Sequence, residues 1–499
     1  MKGGKPRFSK GLIRESLKFL LILFLVLIFF SGVMAQEIFD FVPEDVGYFL
    51  ILRGLRSAME VLRDSTNFFG AYLGDNGFGA ERAFYGIIDA AGYNAEVDTS
   101  FLKDALNDDI LLVGEGIDLS LDDLLMFDPF YLLEKLKLTK NRVFMAWRTT
   151  SSFQLLKAVA ALLDMAIFVQ PGENVNELRS STGTLFYHTA DDYLIIGGNK
   201  DAVTLATKTY SGEGRRLLES NGRGREVAEM SYDYTLAGYI DGDRFQLDLG
   251  LESTFSIEST VVFARPEGHT LTATIVQDTL FLNNEDLQKM LSLSDTKELE
   301  ASKETFGDYT VFFPSSSVET LRKELAHWFE LDLEPYKELA DFVVLLSRES
   351  IGNTRIYGDL VSDTPRVTAI FTNKGSDTDG LEAPLKEWGA IKSSHKGSRI
   401  YELENDFDTI YFIFSNETTV LTSLTPDEYY RLLSDAESLS DNISYNFVRE
   451  IGLEKDIAQA FIDMKKVFKS LIGVSVDSAL FYQQTFVDDG NMIHALRFY

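Results

Sequence analysis

The chain has 499 residues, of which 45% are hydrophobic and 12% aromatic, and its formal net charge is −30. This composition is typical of a packed globule, and so negative a surface argues against a nucleic-acid partner or adsorption to anionic lipid. The chain contains no cysteine, which excludes disulfides and attachment through a lipid-modified cysteine. Cations, basic partner proteins and neutral glycans remain as binding partners.

The first 35 residues have the order of a secretory signal. Six basic side chains and one acid occupy residues 1–18, an apolar run covers 19–30, and small residues follow. This pattern predicts cleavage between Ala35 and Gln36, and it leaves a mature chain with a net charge of −35. Because the basic end stays in the cytoplasm, the rest of the chain is predicted to cross the membrane.

An uncleaved signal anchor is the alternative to cleavage. Residues 19–35 form an apolar stretch of 17 residues, which is the lower limit for spanning a hydrocarbon core. In either case residues 36–499 are predicted to be extracytoplasmic, which means periplasmic, in the cell envelope or secreted. Membrane contact is then expected only through residues 19–35, and only if they are retained.

Three short sequence matches recur in the same order at nearly one offset, which suggests an internal duplication. The matching pairs are 142–147 with 366–371, 239–241 with 461–463, and 256–259 with 475–478. The predicted organisation is a first copy over 36–280, a helical linker over 281–300 and a second copy over 301–499.

Hydrophobic periodicity and turn residues predict the elements of each copy. In the first copy, strands are predicted at 46–52, 109–114, 142–148, 184–188, 193–196, 235–240, 256–264 and 270–276, and helices at 57–63, 153–165 and 200–207. In the second copy, strands are predicted at 309–313, 342–346, 367–371, 399–403, 409–414, 418–422, 479–487 and 492–498, and helices at 317–329 and 426–433. The predicted fold class is α+β: two divergent tandem copies of a mainly antiparallel sheet with helices covering one face.

The order of several segments resembles a bacterial family of exported proteins of unknown function. These segments are a Pro-acidic-x-x-Tyr strand at 43–48, a junction with an acidic pair at 106–110, a strand–helix–hairpin–helix block at 142–208, and a strand ending in Ile240-Asp241. The resemblance covers most of the chain after the targeting segment. It implies a fold and an exported location, and it supplies no catalytic residues.

The sequence lacks the common motifs for transition-metal binding, nucleophilic catalysis and nucleotide binding. The five histidines (His188, His269, His327, His395 and His494) are far apart, and with no cysteine they give no pattern for a transition metal. Neither a Gly-x-Ser-x-Gly elbow nor a Walker or dinucleotide loop is present. We therefore predict no catalytic residue, no cofactor and no metal site.

Several acidic and glycine-rich segments are candidate binding sites. Asp241, Asp243 and Glu258 could serve glycosidase chemistry, but Asp241 and Glu258 have counterparts in the second copy, which favours a structural role. Turns at 107–109 and 488–491 offer oxygen ligands for calcium, although acidic turns are also ordinary hairpin chemistry. The turn at 197–200 could bind an anion or simply connect a strand to a helix.

Two further segments look irregular. Residues 68–93 combine seven aromatic side chains with glycines, which is typical of a loop that packs on its own domain or grips a glycan or peptide. Residues 212–225 place Arg215, Arg216, Arg223 and Arg225 among glycines. This basic patch is interpreted as a solvated loop or as a docking point for the other copy.

Duplication and the missing catalytic motifs together favour a non-enzymatic protein that binds or scaffolds at the cell envelope. Its expected partner is an envelope protein or a glycan. The alternative hypothesis is an envelope hydrolase that uses two close carboxylates with separated pKa values.

Overall fold

In a computed structural model, the chain divides into two compact units, Met1–Gln277 (unit 1) and Asp278–Tyr499 (unit 2). The structure describes residues 36–64, 67–75, 79–118, 142–181, 183–190, 192–248, 259–278, 308–315, 318–319, 322, 337–359, 366–375, 379–404, 409–435, 445, 448, 458–472, 475–486 and 491–499. The targeting segment 1–35 and the predicted linker 281–300 lie outside these residues. Within them, no helix is long and apolar enough to cross a membrane.

Among the residues that the structure describes, unit 1 has a sheet of ten strands in which every pair of neighbours is antiparallel. The strands are β1 (Tyr48–Leu52), β2 (Ile110–Gly114), β4 (Val143–Arg148), β5 (Ala166–Phe168), β6 (Asn176–Arg179), β7 (Thr184–Ala190), β8 (Tyr193–Gly197), β9 (Leu236–Ile240), β11 (Thr260–Glu267) and β12 (Thr270–Asp278). Their order across the sheet is β12-β11-β9-β1-β2-β4-β8-β7-β6-β5. A separate parallel pair joins β3 (Gly116–Asp118) to β10 (Gln246–Asp248).

Helices cover both faces of this sheet. They are α1 (Leu55–Arg63), α2 (Phe68–Leu73), α3 (Ala80–Ala95), α4 (Thr99–Ala105), α5 (Ser152–Leu162), α6 (Lys200–Tyr210), α7 (Leu217–Ser220) and α8 (Gly222–Met230). One core contains residues of α6 to α8, and the other contains residues of α3 to α5. All five residues of β8 are buried, because successive side chains enter opposite cores.

The residues that directly follow the predicted cleavage site belong to the first core. Gln36–Phe41 is a 3₁₀ helix, and Ile38, Phe39 and Phe41 are completely buried. The Phe41 ring stacks on Tyr210 at a centroid distance of 4.2 Å. The chain therefore enters its folded part within three residues of Ala35.

The described part of unit 2 also contains a sheet of ten antiparallel strands. They are β13 (Tyr309–Pro314), β14 (Ser350–Gly358), β15 (Val367–Asn373), β16 (Ile391–His395), β17 (Ser398–Glu404), β18 (Thr409–Phe414), β19 (Thr418–Thr422), β20 (Ala458–Asp463), β21 (Ala479–Phe486) and β22 (Asn491–Phe498). Their order is β22-β21-β20-β13-β14-β15-β19-β18-β17-β16. When the strands of each unit are counted along the chain, the two sheets have the same strand order.

The helices of unit 2 also lie on both faces of its sheet. They are α9 (Lys337–Arg348), α10 (Asp379–Glu387), α11 (Pro426–Asp435) and α12 (Met464–Ile472). Residues of α9 and α10 form one core, and residues of α11 pack on the opposite face. The α+β class with large antiparallel sheets is confirmed, whereas the expectation that helices cover only one face is wrong. The uninterrupted apolar strands explain the difference, because a strand buried on both sides needs cover on both sides.

Two local predictions are also wrong. The predicted strand at 342–346 is part of α9, because Phe342 and Leu346 are one helical turn apart and are both buried in the core. Its run of β-branched and aromatic residues is typical of a strand, but helical spacing continues on either side. The segment 68–93, predicted to be irregular, contains α2 and most of α3, with Phe68 and Phe69 buried.

Candidate functional site

The most unusual polar cluster in the described residues surrounds Glu382 on α10. Its side chain is 2% exposed, yet three cations lie within 4 Å of its carboxylate oxygens. The distances are 2.8 Å to an Arg399 guanidinium nitrogen, 3.3 Å to Lys392 Nζ and 3.8 Å to Lys386 Nζ. The Tyr401 hydroxyl also donates a hydrogen bond to this carboxylate. We call these five residues the Glu382 cluster.

The electrostatics of this cluster keep its carboxylate ionised. Burial pushes the pKa of Glu382 upward, but the hydrogen bonds from Tyr401 and Lys392 and the charge of Arg399 outweigh burial and leave the pKa below its ordinary value. The pKa of Lys392 is raised by its hydrogen bonds to Tyr401 and Glu382. One carboxylate thus faces three cations, and Lys386 and Lys392 alone outnumber it, which gives the cluster an excess of positive charge.

The excess charge is accessible to solvent. The side chains of Lys386, Lys392 and Arg399 are 59%, 50% and 37% exposed. A single buried carboxylate needs one counterion, so the two lysines on one oxygen of Glu382 exceed what the fold requires. Two ammonium groups that share one carboxylate oxygen also repel each other, and a second anion would relieve that repulsion.

The same cluster borders an open edge of the sheet. Strand β16 pairs with β17 and with no other described strand, and four of its five residues are exposed. The β16–β17 hairpin closes through Lys396 and Gly397, whose φ angles of 47° and 85° are those of a type I′ turn. In such a hairpin His395 and Ser398 form a hydrogen-bonded pair.

The hairpin register assigns the free backbone groups of β16. Hydrogen-bonded and non-hydrogen-bonded pairs alternate along an antiparallel ladder, so Lys392 and Ser394 are in non-hydrogen-bonded pairs with β17. Their backbone N–H and C=O groups therefore point to the open edge. The side chains of Lys392 and Ser394 lie on the same face of the sheet as Tyr401 and Arg399, which they oppose.

The sequence carried a signal for this site that motif searches miss. Between positions 386 and 399 there are four lysine or arginine residues and one acid, in a chain with a net charge of −30. These cations are spread over a helix, an edge strand, a turn and an inner strand. Only the fold brings Lys386, Lys392 and Arg399 to the same carboxylate.

A second buried charge pair lies in unit 1, just beyond the end of β1. Arg53 and Asp109 are 0% and 1% exposed, and Arg53 Nε is 3.9 Å from Asp109 Oδ1. The Arg53 guanidinium also lies over the Tyr232 ring, 4.4 Å from its centroid. Burial raises the pKa of Asp109 to about 6, and it raises the pKa of Asp108 to about 6 as well.

The calcium candidate at 107–109 is used within unit 1. Asn107 Oδ1 accepts hydrogen bonds from the backbone N–H and the hydroxyl of Ser57, in the first turn of α1. Asp109 faces Arg53. The other calcium candidate, 488–491, lies outside the described residues apart from Asn491. Among the residues that the structure describes, no group of three potential ligands is placed to hold a metal ion.

The glycine turn at 197–200 starts α6 and supplies its own cap. Asn199 Oδ1 accepts a hydrogen bond from the backbone N–H of Ala202 at 2.7 Å, and Lys200 pairs with Glu173. One of the backbone N–H groups in the first turn of α6 is thus satisfied by the chain itself.

We expect Asn199→Ala to lower the stability of unit 1 by about 1 kcal/mol, because α6 loses this cap. Urea unfolding followed by Trp147 fluorescence measures the change. Asn199→Asp is the control, since aspartate also caps a helix. Equal stability of all three proteins would show that the turn has another role.

The basic segment 212–225 binds the N-terminal segment of the same unit. Arg216 pairs with Asp40 at 2.8 Å, and Arg215 lies 3.7 Å from Glu44. The backbone N–H of Leu217 donates to the carbonyl of Val42. These arginines therefore hold 40–44 against α7, a structural role that accounts for part of the predicted patch.

The acids considered for catalysis are used at equivalent places in both sheets. The backbone N–H of Asp241 donates to the carbonyl of Gly47 and that of Asp463 to the carbonyl of Asp308, each at 2.8 Å. Each of these two carboxylates also lies within 4 Å of a cation three residues later in the chain. Asp243 is exposed, and its backbone N–H donates to Asp241. Glu258 lies outside the described residues.

The histidines and the aromatic segment singled out from the sequence lie at separate places in the structure. Burial lowers the pKa of His494 to about 4, and its ring contacts the Tyr482 hydroxyl. His395 lies 3.3 Å from Asp427, and His327 lies outside the described residues. Of the aromatic residues of 68–93, Tyr93 is 84% exposed. A shallow groove of about 260 Å³ runs near it between α3 and α5, lined by Ile87, Ala90, Ala91, Asn94, Ala161 and Leu162.

Comparisons with known proteins supply no identity. No family model matches the chain, and no curated protein matches it. Solved structures of a protein designated TP0453 align with part of the chain. Crystal form III has 9% identity over 38% of this chain and 76% of that one, with a TM-score of 0.27. Crystal form I has 10% identity over 40% and 77%, with a TM-score of 0.26. Likenesses this low do not establish a shared fold.

Proposed function

We propose that this protein is an exported, non-enzymatic binding protein of the cell envelope. The observation that carries the proposal is the Glu382 cluster, in which three exposed cations surround one buried carboxylate beside an open sheet edge. Its excess positive charge is a feature for recognition, because the fold needs only one counterion at this carboxylate. The binding partner is an envelope component with anionic groups.

Export rests on the sequence of residues 1–35. The order of basic, apolar and small residues supports removal after Ala35, so that the mature chain begins at Gln36. If the apolar stretch 19–35 were retained, Ile38 would enter the core of unit 1 only three residues after it. An anchored form would then hold unit 1 directly at the membrane surface. The proposed location and the proposed membership of an exported family rest on these patterns.

A duplication is part of the proposal, since the ten described strands of each sheet have the same order. Matching contacts in the two units support a duplication. Tyr48 faces Gly114 at the same register position at which Tyr309 faces Gly358. In both places a side chain on the glycine would collide with the tyrosine ring. An ion pair follows each glycine, Glu115 with Arg142 and Asp359 with Arg366.

Some features occur in both units, and others occur in one unit. Asp241 and Asp463 occur at equivalent places and bind backbone N–H groups, which supports a role in the common fold. The Glu382 cluster is a feature of unit 2: strand β5, which takes the edge position in the sheet of unit 1, has the sequence Ala-Ile-Phe and carries no cation. A cluster that is absent from the equivalent strand is not needed to build the fold, so a role in binding is favoured.

Affinity capture of the protein from intact envelopes tests this function. We expect a discrete envelope component to co-purify with the wild-type protein and to be reduced when Lys386 and Lys392 are both replaced by glutamine. Asn199→Ala serves as a control that leaves these charges in place. Recovery of no partner, together with turnover of a cell-wall substrate by the purified protein, would favour the carboxylate-based hydrolase instead.

A further inference from the structure

We propose that β16 accepts an extended acidic segment of a partner protein as an additional strand, with its carboxylates on the Glu382 cluster. This inference rests on the proposed binding function and names the surface and the chemistry of the partner. It is drawn from three features of unit 2: the open edge of β16, the excess positive charge beside it, and the register of the hairpin.

The open edge supplies the main-chain contacts. The backbone groups of Lys392 and Ser394 point away from β17, and no described strand pairs with them. Unpaired groups in a row are the template for adding a strand, and such main-chain hydrogen bonds are independent of the sequence of the added segment. Specificity must then come from the side chains on the two faces.

The cluster supplies that specificity. A residue of the added strand that lies opposite Lys392 places its side chain on the same face as Lys392 and Tyr401. Two positions further along the added strand, the side chain returns to this face, next to Ser394 and Arg399. Carboxylates at alternate positions would therefore meet Lys392, Lys386 and Arg399, with distances set by the sheet.

The opposite face of β16 favours apolar residues between the acids. Ile391 is 62% exposed on this face. The core that contains Tyr429 lies on the same face of the sheet. Side chains at the intervening positions of the added strand would cover Ile391. The preferred segment thus alternates acidic and β-branched residues, which also suits an extended conformation.

Pairing of two copies of β16 is opposed by the same cations. An antiparallel pair of these strands would bring Lys386, Lys392 and Arg399 of both copies together, with an excess positive charge on each side. Lysines on edge strands commonly prevent such self-association. Lys392 differs from a purely protective lysine because it is held in place by Glu382 and Tyr401, ready to receive a second carboxylate.

Peptide binding to the protein purified from cells that express the full coding sequence tests the proposal. The probe is a fluorescent eight-residue peptide of alternating glutamate and valine, and its anisotropy is measured at low salt. A peptide of the same composition with four consecutive glutamates is the control for spacing. We expect the alternating peptide to bind at least about tenfold more tightly than the control peptide.

Variants separate the backbone contacts from the charges. Ser394→Pro removes an outward N–H without removing a hydrogen bond to β17, and we expect it to weaken binding about tenfold or more. Ser394→Ala is its matched control and should bind like wild type. Replacing Lys386 and Lys392 by glutamine should weaken binding by a similar factor, whereas Lys200→Gln, the same change on an exposed lysine of unit 1, should not.

Three results would overturn the strand-addition proposal. The first is equal binding of the alternating and block peptides, and the second is loss of binding with the lysine changes but not with Ser394→Pro, which would indicate a simple anion site. The third is no binding at all. After any of these results, the proposed binding function still holds if envelope capture recovers a partner from the Ser394→Pro protein. Failure of the strand-addition proposal can therefore be distinguished from failure of the proposed function.

Discussion

Replacing Phe41 by alanine is expected to lower the free energy of unfolding of unit 1 by about 3–5 kcal/mol. The Phe41 side chain is completely buried, stacks on Tyr210 at 4.2 Å and meets Tyr193 edge-on at 5.0 Å. Truncation removes these contacts and leaves a cavity between the N-terminal segment and α6. The expected loss is large because the residues that follow the predicted cleavage site are part of the core.

Unfolding in urea, followed by tryptophan fluorescence, measures this effect. The chain has three tryptophans, and replacing Trp328 and Trp388 by phenylalanine leaves Trp147 as a reporter of unit 1. Phe41→Leu is the control, since it keeps most of the apolar volume and should lose less than half as much. A loss below about 1 kcal/mol for Phe41→Ala would mean that the N-terminal segment is not packed as described.

Replacing Arg53 by methionine is expected to destabilise unit 1 by about 3–5 kcal/mol at pH 8 and by less at pH 5. The substitution removes the larger of two arginine charges, those of Arg53 and Arg148, that stabilise the buried Asp109 carboxylate. Burial already raises the pKa of Asp109 to about 6, above its unfolded value of about 4. A folded-state pKa above the unfolded one means that folding binds a proton, so stability from this group rises as pH falls from 6 towards 4. Protonation of Asp109 therefore offsets part of the loss at pH 5.

The same fluorescence assay, at pH 8 and pH 5, checks this prediction. The double variant Arg53→Met with Asp109→Leu removes both charges and should recover most of the stability lost at pH 8. Asp109→Asn alone should weaken the pH dependence of unit 1 between pH 4 and 6, because it removes one group that titrates there. A small loss for Arg53→Met that is equal at both pH values would contradict the buried ion pair.

Much of the sheet could be predicted from local patterns. Strands β18 and β19 were predicted with their observed bounds, since alternating or continuous apolar runs end there at turn residues. Strand β16 was not predicted, because four of its five residues are exposed and its sequence does not alternate apolar and polar residues. Its pairing with β17 depends on the turn at Lys396 and Gly397, which a periodicity analysis does not weigh.

The site was harder to predict than the fold because it depends on contacts between distant elements. Glu382 and Arg399 are 17 positions apart, on a helix and a strand, and only the packing of α10 on the sheet joins them. The roles of the calcium candidate at 107–109 and the anion candidate at 197–200 depend on such contacts too. Asn107 and Asn199 are placed by the fold so that they satisfy backbone N–H groups of α1 and α6.

Photo-crosslinking in intact cells tests the central claim, an exported protein that binds an envelope partner, most directly. A photo-reactive amino acid replaces Ser394 on the open edge, and the same amino acid at the exposed Lys200 is the control. We expect a discrete crosslink from position 394 only, formed by a chain that begins at Gln36 and to an envelope protein. An unprocessed chain in the cytoplasm, or the same crosslinks from both positions, would contradict the account.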